Sequence, residues 1–127
     1  MNEITVSLFS RLNAIITDVP VYDHVPQNGE TYPYIQVVPD LITQDDTDGE
    51  RQFIATVRIM IFSRYRGMKE VNDLIDRVYN ALHLWSMPDT ANYSVGSLIE
   101  ETRQTNVSPD GLTRYSVQDY QMWVEKI

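Results

Sequence analysis

The sequence predicts an α+β protein: a mainly antiparallel sheet of about four to five strands, packed by two helices in a single domain over residues 1–127. Two observations carry this prediction. The first is a strand pattern at 53–62 followed directly by a helix pattern at 68–85. The second is the order of elements along the chain, which alternates too little for βαβ units and shows no internal repeat or linker.

The strand at 53–62 has apolar residues at both parities, which is typical of a central strand with one face against a helix. One parity carries Phe53, Ala55, Val57, Ile59 and Ile61. The other parity carries Ile54, Thr56, Arg58, Met60 and Phe62. Gly67 ends the polar connection that follows, and a second periodicity begins there.

The residues at 68–85 repeat their apolar side chains at helical spacing, and this stripe predicts an amphipathic helix. The stripe consists of Val71, Leu74, Ile75, Val78, Ala81, Leu82 and Trp85. Burial of five or six such side chains, at roughly 1.5–3 kcal/mol each, makes this strand and helix the centre of one core.

The N-terminal residues 2–16 carry a similar stripe and predict the other helix. Asn2 can cap this helix, Glu3 suits its first turn, and Asp18 and Pro20 mark its end.

Short β-rich runs and turn signals divide the rest of the chain. We expect the remaining strands at 21–22, 32–38, 93–103 and 113–124, and the longer loops at 23–31, 39–52 and 104–112. Pro39 should close its strand. The segment at 39–52 is acidic and reads as a mobile loop or a hairpin arm. The apolar parity of the last strand switches, which predicts a bulge near Asp119.

Composition excludes several classes of protein. The chain has 43% hydrophobic residues, no cysteine, a formal net charge of −8 and a pI near 4.5. This composition predicts a globular protein that has no disulfides or thiolate metal sites and does not bind nucleic acid with high affinity. No apolar run is long enough to cross a membrane, and no signal peptide is evident.

The sequence contains no recognisable catalytic, cofactor or metal-binding set, so we expect no enzyme and no cofactor. His24 and His83 have no second histidine at metal-ligand spacing. The run from Asp46 to Gly49 fails the calcium-loop pattern, because Gln44 and Ala55 stand where Asp and Glu are required.

Eight tyrosines and two tryptophans are numerous for one small core. Tyrosine is favoured at protein interfaces, because it buries a large area and keeps a polar end. Half-buried sheet positions explain the same composition equally well, so both interpretations stay open at this point.

Several ordered motifs resemble those of the bacteriophage tail completion, or tail terminator, family of long non-contractile tails. The first is Pro20-Val21-Tyr22-Asp23-His24-Val25-Pro26, which leads to Tyr32-Pro33-Tyr34-Ile35. The second is Ser63-Arg64-Tyr65-Arg66-Gly67, followed by a helix that opens with Lys69-Glu70. The third is the turn and strand Asp110-Gly111-Leu112-Thr113-Arg114-Tyr115. The resemblance extends from about Ile4 to Val124.

This resemblance implies a structural protein of the virion tail that is assembled in the host cytoplasm. It implies a homohexameric ring that caps the tail tube, stops polymerisation and presents a surface to the head–tail connector, while DNA passes without tight binding. Such a ring would formally carry −48, from six copies at −8 each.

For the ring we expect contacts from the loops 23–31, 40–52 and 104–112 and from Tyr22, His24, Tyr34, Arg64 and Arg66. The two arginines would pair with carboxylates of a neighbour, although a solvated turn explains them as well. The acidic residues Asp45, Asp46, Asp48 and Glu50 would face the channel and keep DNA from adhering. The alternatives are a head-completion or connector protein and a monomeric protein-binding module.

Overall fold

The computed structural model describes residues 2–22, 32–44 and 52–126 of the chain. Two helices, α1 and α2, accompany six strands, β1 to β6. In chain order they are α1 (Asn2–Ile15), β1 (Val21–Tyr22), β2 (Tyr34–Gln44), β3 (Gln52–Ser63), α2 (Lys69–Leu82), β4 (Tyr93–Val95), β5 (Ile99–Val107) and β6 (Arg114–Lys126).

The strands form one sheet in which β1, β2, β3 and β6 lie side by side, and β4 and β5 both pair with the far side of β6. Only β1 and β2 are parallel, and every other described pair is antiparallel. The predicted α+β class with two helices is therefore confirmed.

Both helices pack on the same face of the sheet, which we call the covered face. Helix α1 buries Ile4, Leu8, Leu12 and, just beyond its end, Ile16; α2 buries Val71, Leu74, Ile75, Val78, Ala81 and Leu82. The odd-numbered residues of β3 meet them, and Ile59 and Ile61 are fully buried. The even-numbered residues of β3 lie on the opposite face, which we call the open face, because no described helix packs on it.

The expectation that Pro39 ends a strand is wrong, because β2 continues to Gln44. A register shift between Pro39 and Leu41 accommodates the proline, and β3 supplies pairing partners as far as Phe53. The predicted loop at 39–52 is thus partly a β2–β3 hairpin, and its acidic residues 45–51 lie outside the described residues.

The single strand predicted at 93–103 is divided into β4 and β5. Leu98 is fully buried between them and pairs through its main chain with Trp85 and Leu84, which interrupts the ladder along β6. The loop predicted at 104–112 is also too long. Strand β5 continues to Val107 because β6 provides a partner for each of its residues from Thr102 onward.

The bulge predicted near Asp119 lies instead in the neighbouring strand. β6 pairs with β3 without interruption, while β5 shifts register between Glu100 and Thr102, opposite Asp119. The apolar parity of β6 switched only because the buried positions 116 and 118 are polar. Ser116 and Gln118 continue the covered face of β6 that Tyr120, Met122 and Val124 occupy.

Neither α1 nor α2, the helices of the described part of the chain, has the length and apolar character that crossing a membrane requires.

Candidate interaction surface

A row of aromatic rings crosses four strands at one end of the open face. The strand register places Tyr34, Phe62 and Tyr115 side by side on this face. The ring centroids of Tyr34 and Phe62 are 4.8 Å apart, and those of Phe62 and Tyr115 are 6.2 Å apart. Tyr22 on β1 meets Tyr34 edge-on at 5.7 Å. The ring contacts therefore link the short strand β1 at the margin of the sheet to the central strands β2, β3 and β6.

The row continues into a cluster that we call the basic corner: the β3–α2 loop at 64–68 with the β5–β6 turn at 108–113. The Arg64 guanidinium lies 4.3 Å from the centre of the Tyr32 ring, and its Nε donates to Thr113 Oγ1 at 3.3 Å. Arg114 donates to the carbonyl oxygen of Tyr65 at 3.3 Å. These contacts hold the loop against the turn, while Arg66 is exposed.

The turn in the basic corner is ordered by its own polar groups. Ser108 Oγ donates to Asp110 Oδ1, which also accepts the amide of Leu112 at 3.0 Å, and Gly111 adopts a positive φ of 74°. These hydrogen bonds hold the pKa of Asp110 below its usual value, and the charge of Arg64 contributes in the same direction.

Large side chains are exposed at the same corner. Tyr65 is 51% exposed and Leu112 is 58% exposed. Exposed tyrosine and arginine on an ordered turn form a surface suited to binding another protein, because both residue types are enriched at protein interfaces, and Leu112 adds apolar area beside them.

A polar group occupies the middle of the open face. Asp119 on β6 accepts a hydrogen bond from Arg58 Nε at 3.0 Å and from Thr102 Oγ1 at 3.1 Å, so it joins three strands. Beyond it, Trp123 is 51% exposed beside a cavity of about 290 Å³ that Gly96 also lines.

A second polar cluster lies under the start of β5, on the covered face. Glu100 Oε2 accepts hydrogen bonds from Arg103 at 3.0 Å, from Gln118 Nε2 at 3.0 Å and from the Tyr120 hydroxyl at 3.4 Å. Burial, and then the charge of Glu100, raises the pKa of the Tyr120 hydroxyl well above its usual value. Sequence reasoning missed this cluster, although the polar residues 116 and 118 on a core parity were its signal.

The structure thus joins three of the predicted contact residues. Tyr22 contacts Tyr34 directly, and the Tyr32 ring links Tyr34 to Arg64. Tyr34 is only 6% exposed within the chain. Neither Arg64 nor Arg66 forms an ion pair with a described carboxylate. His24 and the acidic residues Asp45, Asp46, Asp48 and Glu50 lie outside the described residues.

In the described part of the chain, no three histidine or acidic side chains come close enough together to bind a metal ion. What the described surface offers is ordered turns, exposed arginine and tyrosine, and open strand margins.

Comparison with known proteins identifies relatives in phage tails. The family model for tail completion protein gp17 matches residues 8–125. No curated protein matches the chain in sequence.

Solved structures share the fold at low identity. A chain from the virion of a native gene transfer agent particle superimposes with a TM-score of 0.81 at 15% identity, covering 98% of this chain and 96% of that one. The gp17 protein of bacteriophage SPP1 superimposes with a TM-score of 0.55 at 18% identity, covering 95% and 86%.

Proposed function

Because the chain belongs to the phage tail completion protein family, and is therefore a structural protein of the virion tail, we propose that it terminates the tail as a ring. In this function six copies cap the finished tail tube, end its polymerisation and present the surface that joins the head connector. The observation that carries the proposal is the family match over residues 8–125, which is nearly the whole chain.

The basic corner supplies one side of the contact between copies. Its Arg66 is exposed and free of any described carboxylate, while the chain as a whole has a formal net charge of −8. An acidic copy of the same chain is thus a complementary partner for a local basic surface. Tyr65 and Leu112 add exposed area beside the charge.

The acidic residues Asp45, Asp46, Asp48 and Glu50 face the channel in this proposal. Six copies of them repel the phosphate backbone, so that DNA passes without adhering. The chain acts by assembly and needs no catalytic group or cofactor.

The test is to delete the gene in a host that carries the remaining particle genes, and to measure tail lengths by negative-stain electron microscopy. Loss of a terminator gives tails that exceed the normal length and are not joined to heads. Tails of normal length that remain unjoined would contradict termination and indicate a connector protein instead. Normal, joined particles would contradict both functions.

A variant pair tests the basic corner in the same assay. Arg66→Gln removes one positive charge from the corner, and Asn80→Asp changes the net charge equally on the exposed side of α2. We expect the first variant to cap poorly and the second to behave as the parent. Equal capping by both would remove the corner from the contact.

A further inference from the structure

Strand β5 forms a margin of the sheet, and its two halves differ. The outer side is occupied at the start of the strand, from Leu98 just before it to Glu100. Leu98 N donates to Trp85 O at 3.2 Å, Leu84 N donates to Leu98 O at 2.7 Å, and Glu100 N donates to His83 Nδ1 at 3.2 Å. No described strand lies outside the second half, 103–107, which we call the bare edge.

The direction of the amides in the bare edge follows from the alternation of an antiparallel ladder. Ser108 N donates to Thr113 O at 2.8 Å, so its amide points toward β6. Alternate residues then point outward, namely Arg103, Thr105 and Val107. The outward amide of Glu100 agrees with this assignment once the register shift before Thr102 is counted. No described group accepts these three outward amides.

Beyond Arg103, whose guanidinium is paired with Glu100, the bare edge lacks the features that protect sheet margins from pairing. Such features are charges, prolines and bulges. In β5 the two glutamates and the register shift lie at 100–102, in and next to the occupied half. The run Gln104–Val107 is uncharged, contains no proline or glycine, and is exposed at three of its four residues. The chain has a formal net charge of −8, yet it places no charge on this stretch of exposed strand. A margin left without protection in this way indicates a strand that pairs with another strand in the assembled state.

We propose that the bare edge receives a strand from a second copy of this chain, so that β5 of one copy pairs with β2 of the next. The opposite margin of the same sheet supplies the partner. The two residues of β1 pair only with Ile35 and Gln36, and no described strand lies outside β2 from Val38 to Gln44.

Strand direction favours this pairing. The four strands β2, β3, β6 and β5 alternate in direction, so a copy related by rotation presents β2 antiparallel to β5. The register places the bare edge level with residues 34–37 of its own β2, which β1 partly covers. The bare part of β2 therefore meets the bare edge of the next copy when the strands are inclined to the ring axis, as they are in closed barrels. Joining two different margins is a heterologous contact, which gives a ring when the rotation between copies closes and does not stop at a two-fold dimer.

The dimensions suit the proposed function, on which this inference rests. Four strands per copy at about 4.8 Å spacing give six copies a perimeter of about 115 Å and a diameter of about 37 Å between strand axes. Strand tilt widens such an opening further. A DNA duplex fits through it.

The first experiment uses single cysteines, because the chain has none of its own. Val38→Cys on β2 and Asn106→Cys on β5 both place the thiol on the open face. Each variant alone, and the two mixed, are treated with a short bis-maleimide at the highest attainable concentration. We expect cross-linked dimers from the mixture and none from either variant alone. Cross-links within either single variant, or none in the mixture, would overturn the proposal.

The second experiment removes one outward donor without touching the pairing to β6. Thr105→Pro deletes the amide that the neighbour would accept, and Thr105→Val keeps it with a side chain of the same shape. Light scattering should show self-association weakened about fivefold to tenfold by proline and unchanged by valine. A melting curve for each variant confirms folding. If the proline variant folds and associates as strongly as the parent chain, the proposed β5–β2 pairing is wrong.

These results separate the joint from the proposed function. Oligomers that form without the β5–β2 cross-link would refute the joint alone. Cross-linked rings with tails of uncontrolled length would refute termination alone.

Discussion

The two strands that flank β6 are held by different forces. On one side, β3 buries every odd-numbered residue from Phe53 to Ser63 against the helices. On the other side, β5 buries none of its nine residues fully and is exposed at seven of them. Both form regular antiparallel ladders with β6.

The difference shows that one strand partner can be fixed by burial and another by polar contacts. Strand β3 has helices on one face and a neighbour on each side. Strand β5 depends on its ladder to β6, on Glu100 beneath it and on the hydrogen bond from Thr102 to Asp119 above it. We therefore expect changes in β3 to affect global stability and changes in β5 to affect local opening.

Substitution in the covered face of β3 should have the largest effect. Ile59 is fully buried, so Ile59→Ala should lower the free energy of unfolding by about 2–5 kcal/mol through lost burial and a cavity. The measurement is a urea titration followed by circular dichroism. Met60→Ala, on the open face of the same strand, serves as the control and should cost about 1 kcal/mol. Equal losses of unfolding free energy in the two variants would contradict the difference between the covered and open faces.

Substitution in the polar support of β5 should have a smaller and more local effect. Glu100→Gln removes the charge that Arg103, Gln118 and Tyr120 share, and should cost about 1–2 kcal/mol. Hydrogen exchange should quicken in β5 and remain unchanged in β3. Glu101→Gln makes the same charge change at the exposed neighbouring residue and should leave both strands unaltered. Uniform acceleration across the sheet would show that the two strands open together.

The smallest effect at neutral pH concerns Tyr120, which joins β6 to the same cluster. Burial raises the pKa of its hydroxyl, so the folded chain holds this proton more tightly than the unfolded chain does. Its contribution is complete below about pH 10, the usual value for tyrosine, and declines as the pH rises above it. Unfolding midpoints measured across this range should fall, and Tyr120→Phe should flatten the decline. An identical slope for this variant would assign the decline to other groups.

Much of the fold could be predicted because its centre follows simple periods. The stripe from Val71 to Leu82 and the alternation from Phe53 to Ile61 correspond to α2 and β3. The division of 93–103 and the length of β5 could not be predicted. The residues 100–106 carry no apolar alternation, and only the presence of β6 keeps them extended.

The interaction surface was less accessible to prediction. Aromatic composition suggested an interface, yet Tyr34 is packed within its own chain among neighbouring rings. Arg64 was identified through its motif, but its stacking on Tyr32 depends on how the end of β3 approaches the start of β2. The outward amides of β5 have no signature in the sequence, because every residue except proline carries one.

A joint built from the main chain of β5 would have an evolutionary consequence. Side chains at 104–107 are interchangeable in such a joint so long as proline is absent, so the sequence there can change while the pairing between copies is kept. Saturation mutagenesis of 104–107 should therefore give a flat tolerance profile broken mainly by proline.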